Sequence, residues 1–347
     1  MKRLLLGISV TLAASLSAVA QDIHFSQYYA SPLTLNPAQT GLINRDYRVA
    51  ANYRTQNYSV SSNPYITGAI SYDMPILQGR LPEGDAIGIG VLAFYDKAGS
   101  GALQNMTAGL SFAYHKALGV EKNHMVSLGV QALFVNKSIN FSKLTFADQL
   151  DPRMPESYLP TNEQFSNQDV SYPDFNAGLL YTGKINQRSM MYAGVSYFHL
   201  TNPQEKFLNS GDGANVTINS RYSVYVGGST ELNPNIAIFG SGLFQQQGPA
   251  QEILLGAATG FILNPEHRED VGNTVLYLGL WYRYNDALIP YVGLEWTQFQ
   301  LGFTFDVTTS NASVMTENQG AYEVSLIYNG LFTKHQRKKY NFACPKF

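Results

Sequence analysis

The sequence predicts an all-β fold: a transmembrane outer-membrane β-barrel of about 14 antiparallel strands with an N-terminal plug-like segment. Three observations favour this fold class. The chain is 13% aromatic and has 30 glycines but is only 14% charged, against roughly 25% in a soluble domain. After residue 20 no apolar run reaches the length of about 18 residues that a transmembrane helix needs. From Tyr47 onward, apolar and polar residues alternate as in strands; a secreted β-sandwich is the alternative on composition alone.

Residues 1–20 have the features of a secretion signal peptide. A basic start, Met1 to Arg3, precedes an apolar stretch from Leu4 to Leu16 and the small-x-small sequence Ala18-Val19-Ala20. We therefore expect an exported protein whose mature chain begins near Gln21. The single cysteine has no partner for an internal disulfide.

Residues 21–46 are predicted to form a periplasmic or plug segment ahead of the barrel. The sequence FSQYYASPLTLNPAQTG at 25–41 contains two prolines and ends in Gly41, so neither a helix nor a strand is expected there. We expect Asn36-Pro37 to turn the chain and Gly41 to lead it into the wall. A barrel of about 14 strands has a lumen too wide for its wall side chains to fill. We therefore interpret the stretch as a plug at the base of the lumen.

Residues 47–332 are predicted to form the barrel. The candidate strands are 47–54, 65–73, 86–97, 102–117, 124–138, 172–184, 189–200, 220–232, 236–246, 250–262, 274–284, 287–296, 298–306 and 321–329. A tilted strand needs about 9–11 residues to cross a bilayer, and most candidates meet this length. An even number of strands places both mature termini on the periplasmic side.

Alternation within single strands gives the predicted wall one apolar face. In VLYLGLWYRY, Leu276, Leu278 and Leu280 fall on one side of the strand, while Tyr277 and Trp281 fall on the other. An apolar outer face suits lipid, and the opposite face suits a polar or tightly packed lumen.

The longest connections are expected outside the cell, and the two chain ends inside the periplasm. The long connections are 139–171, 201–219 and 307–320. Residues 333–347 are expected to form a periplasmic tail. Its apolar end is expected either to tuck under the barrel or to dock on a periplasmic partner.

Residue patterns typical of catalysis, metal binding or cofactor binding are not found in the sequence. The six histidines show no metal-ligand spacing, and no Gly-x-Ser-x-Gly sequence occurs. Ser111 and His115 share a strand face but lie about 13 Å apart, too far for a hydrogen bond. A net charge of −2 does not indicate a nucleic acid partner. We therefore expect no enzyme, no cofactor and no metal site.

An ordered set of motifs resembles the PorP/SprF family of type IX secretion outer-membrane proteins. The motifs are FSQYYASPLTLNPAQTG at 25–41, YRVAANYR at 47–54, SYDMPI at 71–76, GAYEVSLIYN at 320–329 and the closing CPKF. Two positions depart from the family pattern: Lys346 stands where the family usually has arginine, and Ile23 where it has proline. The resemblance covers nearly the whole mature chain.

The resemblance implies a non-enzymatic barrel that helps to secrete or anchor a surface protein bearing a C-terminal sorting domain, in a system that powers gliding in motile species. The implied partners are outer-membrane lipid, a periplasmic peptidoglycan-binding lipoprotein, the motor ring, and an exported adhesin or its sorting domain. The residues expected to matter are Phe25, Ser26, Gln27, Tyr28, Asn36, Pro37, Ala38 and Gly41 in the N-terminal motif and Cys344, Pro345 and Phe347 in the C-terminal motif. Cys344 is interpreted as a small buried apolar residue, with a reactive thiol as the alternative.

A plugged transporter or channel for a small solute is the alternative function. Asn36-Pro37-Ala38 also resembles the NPA sequence of fatty-acid transporter barrels, in which the N-terminal segment packs inside the barrel as a hatch. This likeness concerns the fold and not the transported solute.

Overall fold

The fold is a closed antiparallel β-barrel. The computed structural model describes residues 22–60, 63–77, 80–99, 103–144, 169–205, 216–263, 274–311, 313–332, 345 and 347. The predicted signal peptide and Cys344 lie outside these residues. No helix in the described part of the chain is long and apolar enough to cross a membrane.

Fourteen strands of the described chain form the barrel, and each pairs with its neighbours in chain order. They are β1 (Tyr47–Gln56), β2 (Tyr65–Ile76), β3 (Ala86–Ala98), β4 (Leu103–Leu118), β5 (His124–Ile139), β6 (Asp169–Lys184), β7 (Ser189–Phe198), β10 (Arg221–Asn233), β11 (Ile236–Gln247), β12 (Ala250–Ile262), β13 (Thr274–Arg283), β14 (Ala287–Trp296), β15 (Phe299–Thr308) and β16 (Gln319–Gly330). Two short strands, β8 (Gln204–Glu205) and β9 (Val216–Thr217), form a separate ribbon between β7 and β10.

Pairing between the first and last strands closes the barrel. Tyr47 lies opposite Gly330 and Gln56 lies opposite Ala321. We call the end that holds Tyr47 and Gly330 the terminal end. The opposite end, where β5, β7 and β15 finish, is the loop end.

The predicted strand count is confirmed, and the strand limits differ by a few residues. One difference with a clear physical reason is in β7, which ends at Phe198 although the predicted strand continues to residue 200. His199 has a φ of 59°, a left-handed conformation that a strand does not accommodate. The strand therefore stops before His199 and frees its side chain for contacts inside the barrel.

The predicted alternation is also confirmed in β13. Leu278 and Leu280 are 47% and 50% exposed on the outer face, whereas Tyr277 and Trp281 are each only 1% exposed. Outward apolar side chains belong against lipid, because a bilayer is the solvent in which such a surface is stable.

The chain ahead of β1 contains three short helical turns, so the expectation of no helix there is wrong. Single turns cover Tyr28–Ala30, Pro32–Leu35 and Pro37–Gln39. The two prolines each begin a turn, where the missing N–H is not needed and the fixed φ suits helical geometry. Proline thus limits helix length here without preventing helix initiation.

Candidate functional site

The candidate site is the N-terminal segment, residues 22–43, together with the wall residues that hold it. All eight residues of the predicted N-terminal motif, from Phe25 to Gly41, are buried. The segment contacts strands on every side of the barrel, from β1 and β2 through β7 to β15 and β16. Its contacts extend from the loop end, where Asp22 meets His199, to the terminal end, where Gly41 meets Asp73. They are therefore not confined to the base of the lumen, where the sequence predicted the segment.

The hydroxyl group of Ser26 is the centre of a buried ion network. It donates to the Asp306 carboxylate at 2.8 Å and accepts from Arg54 at 2.6 Å and from Arg283 at 2.7 Å. One proton donated and two lone pairs occupied is the full capacity of a hydroxyl. The same two guanidinium groups also pair with Asp306, at 2.8 Å and 3.0 Å.

Glu323 completes this network by accepting from the backbone of the segment. Its carboxylate accepts from the N–H groups of Ser26 at 2.8 Å and Gln27 at 3.1 Å. A guanidinium nitrogen of Arg54 also lies 3.5 Å from the Glu323 carboxylate. A buried carboxylate left without donors is strongly destabilising, so the wall charges and the segment stabilise one another.

Asn36 joins the segment to the middle of β6 and β7. Its side-chain amide donates to the carbonyl oxygens of Leu179 at 3.1 Å and Val195 at 3.0 Å. Its side-chain oxygen accepts from the N–H of Ala38 at 2.8 Å, which caps the turn at Pro37–Gln39. Asn36 therefore turns the chain, as predicted, and also binds the wall.

The segment leaves toward β1 past a second buried ion pair. Asp73 accepts from the N–H of Gly41 at 2.6 Å and from Arg48 at 2.9 Å and 2.8 Å. Arg48 also donates to the carbonyl oxygen of Gln39. Gly41 has a φ of 70°, a conformation that glycine adopts without strain.

Ser111 and His115 both contact Thr40 of the segment. The Thr40 and Ser111 hydroxyl groups lie 2.6 Å apart, and the Thr40 carbonyl oxygen lies 2.8 Å from Nε2 of His115. The other ring nitrogen of His115 lies 2.7 Å from the Ser127 hydroxyl. Ser111 therefore contacts the Thr40 side chain and His115 contacts the Thr40 backbone, and the two wall residues are not hydrogen-bonded to each other.

Glycines in the wall allow the backbone of the segment to approach closely. A Cβ at Gly88 would overlap the carbonyl oxygen of Thr40, and one at Gly129 would overlap the backbone at Pro37 and Ala38. A Cβ at Gly178 would overlap the Asn36 side chain. The wall is therefore shaped for this segment, since any side chain at these positions would displace it.

At the loop end, His199 links the start of the segment to the wall. Its Nδ1 lies 2.8 Å from Asp174 and its Nε2 lies 2.7 Å from Asp22. Burial alone would lower the pKa of His199, but the Asp22 and Asp174 carboxylates outweigh it and raise the pKa to about 9. Burial likewise opposes ionisation of Asp22, yet Arg221 and His199 hold the pKa of Asp22 well below its usual range.

The predicted C-terminal motif is described only in part. Pro345 is partly buried, and Phe347 is buried among aromatic rings inside the barrel. Phe347 therefore lies deeper than the predicted position under the barrel. Among the described residues, no group of three or more histidine, cysteine, aspartate or glutamate side chains could hold a metal ion.

Four of the charges that hold the segment were missed by sequence reasoning, although they lie within the motifs that carry the resemblance. Arg48 and Arg54 belong to YRVAANYR, Asp73 to SYDMPI and Glu323 to GAYEVSLIYN. All four occupy inward strand positions in a chain with few charges. Inward charge at alternate strand positions was the available signal for a charged lumen contact.

Comparison with known proteins gives a family and a fold. The sequence profile of the family described as type IX secretion system membrane protein PorP/SprF matches residues 17–328. No curated protein matches the chain significantly.

Among solved structures, the chain is similar to two toluene transporters. For TbuX of Ralstonia pickettii the identity is 9%, with 86% of this chain and 92% of that chain covered and a TM-score of 0.50. For TodX of Pseudomonas putida the identity is 10%, with 89% and 94% covered and a TM-score of 0.50. At such low identity the likeness shows a shared barrel fold alone.

We expect Gly88→Ala to displace the N-terminal segment from the wall, because the new Cβ would overlap the Thr40 carbonyl oxygen. Overpacking of this kind costs about 1–3 kcal/mol. The measurement is the rate at which a soluble maleimide labels Ala38→Cys in a Cys344→Ala background, with barrel folding checked by heat-modifiable gel mobility. The matched control is Gly240→Ala, where nothing lies within 4 Å of the added Cβ. Equal labelling of the two glycine variants in folded barrels would contradict the close fit.

We expect the contribution of His199 to stability to depend on pH. The pKa of His199 is raised from 6.5 to about 9 in the folded chain, so its pairing with Asp22 stabilises fully below pH 6.5 and is lost as the pH rises through about 9. The melting temperature of the wild-type chain should exceed that of His199→Gln at pH 6, and the difference should shrink by pH 10. A difference that stays constant or grows over this range would show that the charged pairing is not responsible.

Proposed function

The chain belongs to the PorP/SprF family of type IX secretion system membrane proteins, and from this premise we propose that it helps to secrete or anchor a surface protein bearing a C-terminal sorting domain. As a member of that family with a barrel fold, the chain is an outer-membrane component of the type IX secretion system. The proposed mechanism is recognition of the exported protein or its sorting domain by the barrel surface and loops, without chemical catalysis.

The observation that carries this mechanism is the N-terminal segment, which we interpret as a plug. Three kinds of contact support a fixed position of the segment across the lumen. They are the charged contacts at Ser26, the amide contacts at Asn36 and the close approach to glycines on β3, β5 and β6. With the lumen closed in this way, the exported protein does not pass through this barrel. The barrel then acts as a partner that binds cargo beside another conduit.

In the proposed orientation, the terminal end faces the periplasm. Supporting this, both chain ends meet the wall there, at Tyr47 and Gly330, and the longest connections follow β5 and β7 at the loop end. Aromatic side chains gather at the terminal end, with Tyr47, Tyr72 and Tyr328 in ring contact, as in the interfacial girdles of outer-membrane barrels.

The proposed domain layout follows from this orientation. It comprises a signal peptide at 1–20, a plug segment at 21–46, a barrel at 47–332 and a C-terminal tail at 333–347, of which Phe347 lies inside the barrel. The periplasmic face would bind the peptidoglycan-binding lipoprotein and the motor ring, and the outer loops would bind the adhesin or its sorting domain. The outer wall would contact lipid.

Transport of a small solute is the second candidate, favoured by the shared fold with the toluene transporters. One luminal cavity lies between the segment and the wall, with Leu33, Leu92 and Leu133 on its apolar side and His199 and Arg221 on its charged side. Its volume is about 40 Å³, far below the roughly 300–1,000 Å³ of ligand pockets. A solute would enter this cavity only if the segment moved.

Deletion of the gene should leave proteins with a C-terminal sorting domain inside the cell, because their recognition partner is lost. Expression of the wild-type chain should restore their surface display, and uptake of toluene should be the same in both strains. Affinity purification of the chain from native membranes should also recover periplasmic type IX components.

Normal surface display in the deletion strain, together with recovery of the barrel alone from native membranes, would contradict the proposed function. Loss of toluene uptake with normal surface display would instead identify the chain as a transporter. Measuring both in the same strain separates the two candidates.

A further inference from the structure

The last residue of the chain lies inside the barrel among aromatic rings. Phe347 is only 2% exposed. Its ring centroid lies 4.8 to 5.8 Å from the rings of Tyr29, Phe239, Tyr277, Trp281 and Tyr291. Aromatic pairs at such separations stabilise one another beyond the effect of burial alone. We call these five residues the aromatic cage.

The wall provides room for this ring on β12, between the aromatic residues of β11 and β13. The inward positions of β12 include Gly256, Ala258 and Gly260. A Cβ at Gly256 would overlap the Trp281 indole, and one at Gly260 would lie 2.9 Å from the Tyr277 ring. Small residues on β12 therefore let the neighbouring rings lie flat and leave space that Phe347 fills.

The aromatic cage also includes the N-terminal segment. Tyr29 contacts Phe347 at 4.8 Å and Trp281 at 5.3 Å between ring centroids. Its hydroxyl group is buried and has no hydrogen-bond partner in the described part of the chain, so ring contacts hold it. The hydroxyl of the preceding residue, Tyr28, donates to Ser241 at 2.7 Å, and the Trp281 indole N–H donates to the same oxygen at 3.4 Å.

The C-terminal residue can reach the aromatic cage from the terminal end. Gly330, the last residue of β16, lies opposite Tyr47 at that end. Residues 331–347 are long enough to span on the order of 50 Å when extended. Phe347 and the N-terminal segment meet at Tyr29.

We propose that the aromatic cage is a binding site for an aromatic side chain of a peptide segment, and that the chain's own Phe347 occupies it. Occupancy holds Tyr29, and through it the N-terminal segment, in the lumen. The proposal rests on the plug interpretation of that segment, but it does not depend on which protein is exported.

Trp281 allows the aromatic cage to be observed directly. The chain has two tryptophans, so a Trp296→Phe background leaves Trp281 as the single fluorescent reporter in the folded full-length protein. In this background, Phe347→Ala should red-shift the Trp281 emission and increase its quenching by acrylamide, because the ring that covers the indole is removed. Phe332→Ala, which removes an exposed phenylalanine near the terminal end, is the matched control and should change neither.

Binding can then be tested by adding the ligand back. A synthetic peptide with the sequence of residues 340–347 should restore protection of Trp281 in the Phe347→Ala chain, whereas the same peptide ending in alanine should not. Identical emission and quenching in Phe347→Ala and the wild-type background would overturn the proposal. Equal protection by the two peptides would also overturn it, because the terminal ring would then not be recognised.

A second readout separates this proposal from the plug interpretation. Labelling of Ala38→Cys should be slow with Phe347 present and faster with Phe347→Ala, both measured with Cys344→Ala. Rapid labelling in both chains would contradict the plug itself, whatever Trp281 reports. Slow labelling in both, with a change at Trp281, would leave the site in place but overturn the locking of the segment by Phe347.

Discussion

The buried ion network around Ser26 connects the N-terminal segment to four strands of the barrel wall. Arg54, Arg283, Asp306 and Glu323 come from β1, β13, β15 and β16, on both sides of the seam where the first and last strands meet. Charges at this depth are stable only when each finds its partners. The segment supplies a hydroxyl group and two backbone N–H groups to them. The same ion network therefore stabilises both the closure of the barrel and the position of the segment.

Steric fit adds to the electrostatic constraint. Glycines on β3, β5 and β6 face Thr40, Ala38 and Asn36 at distances that exclude any side chain. A wall with these glycines would leave gaps if the segment were absent, because a wide barrel cannot fill its lumen with its own side chains. The wall and the segment thus complement each other in charge at Ser26 and in shape between Asn36 and Thr40. This complementarity favours a barrel whose lumen is filled by the segment and which acts by binding the exported protein.

Local pattern explains why the wall could be predicted and the lumen contacts could not. In β13 the adjacent residues Tyr277 and Leu278 point to opposite faces. The presence of a strand and the orientation of its side chains therefore follow from neighbouring residues in the sequence. The contact between Ser26 and Glu323 joins positions 297 residues apart. Such a contact depends on the register of every intervening strand, which no local pattern specifies. The position of Phe347 depends in addition on the path of a long tail, and from the sequence we expected only that its apolar end either tucks under the barrel or docks on a periplasmic partner.

Closure of the lumen by the N-terminal segment is the central claim, and conductance in planar lipid bilayers tests it most directly. The wild-type chain should show no steady conductance, whereas a folded variant that lacks residues 25–41 should conduct as an open barrel. Steady conductance of equal size in both chains would contradict the account, since the lumen would then be open with the segment present.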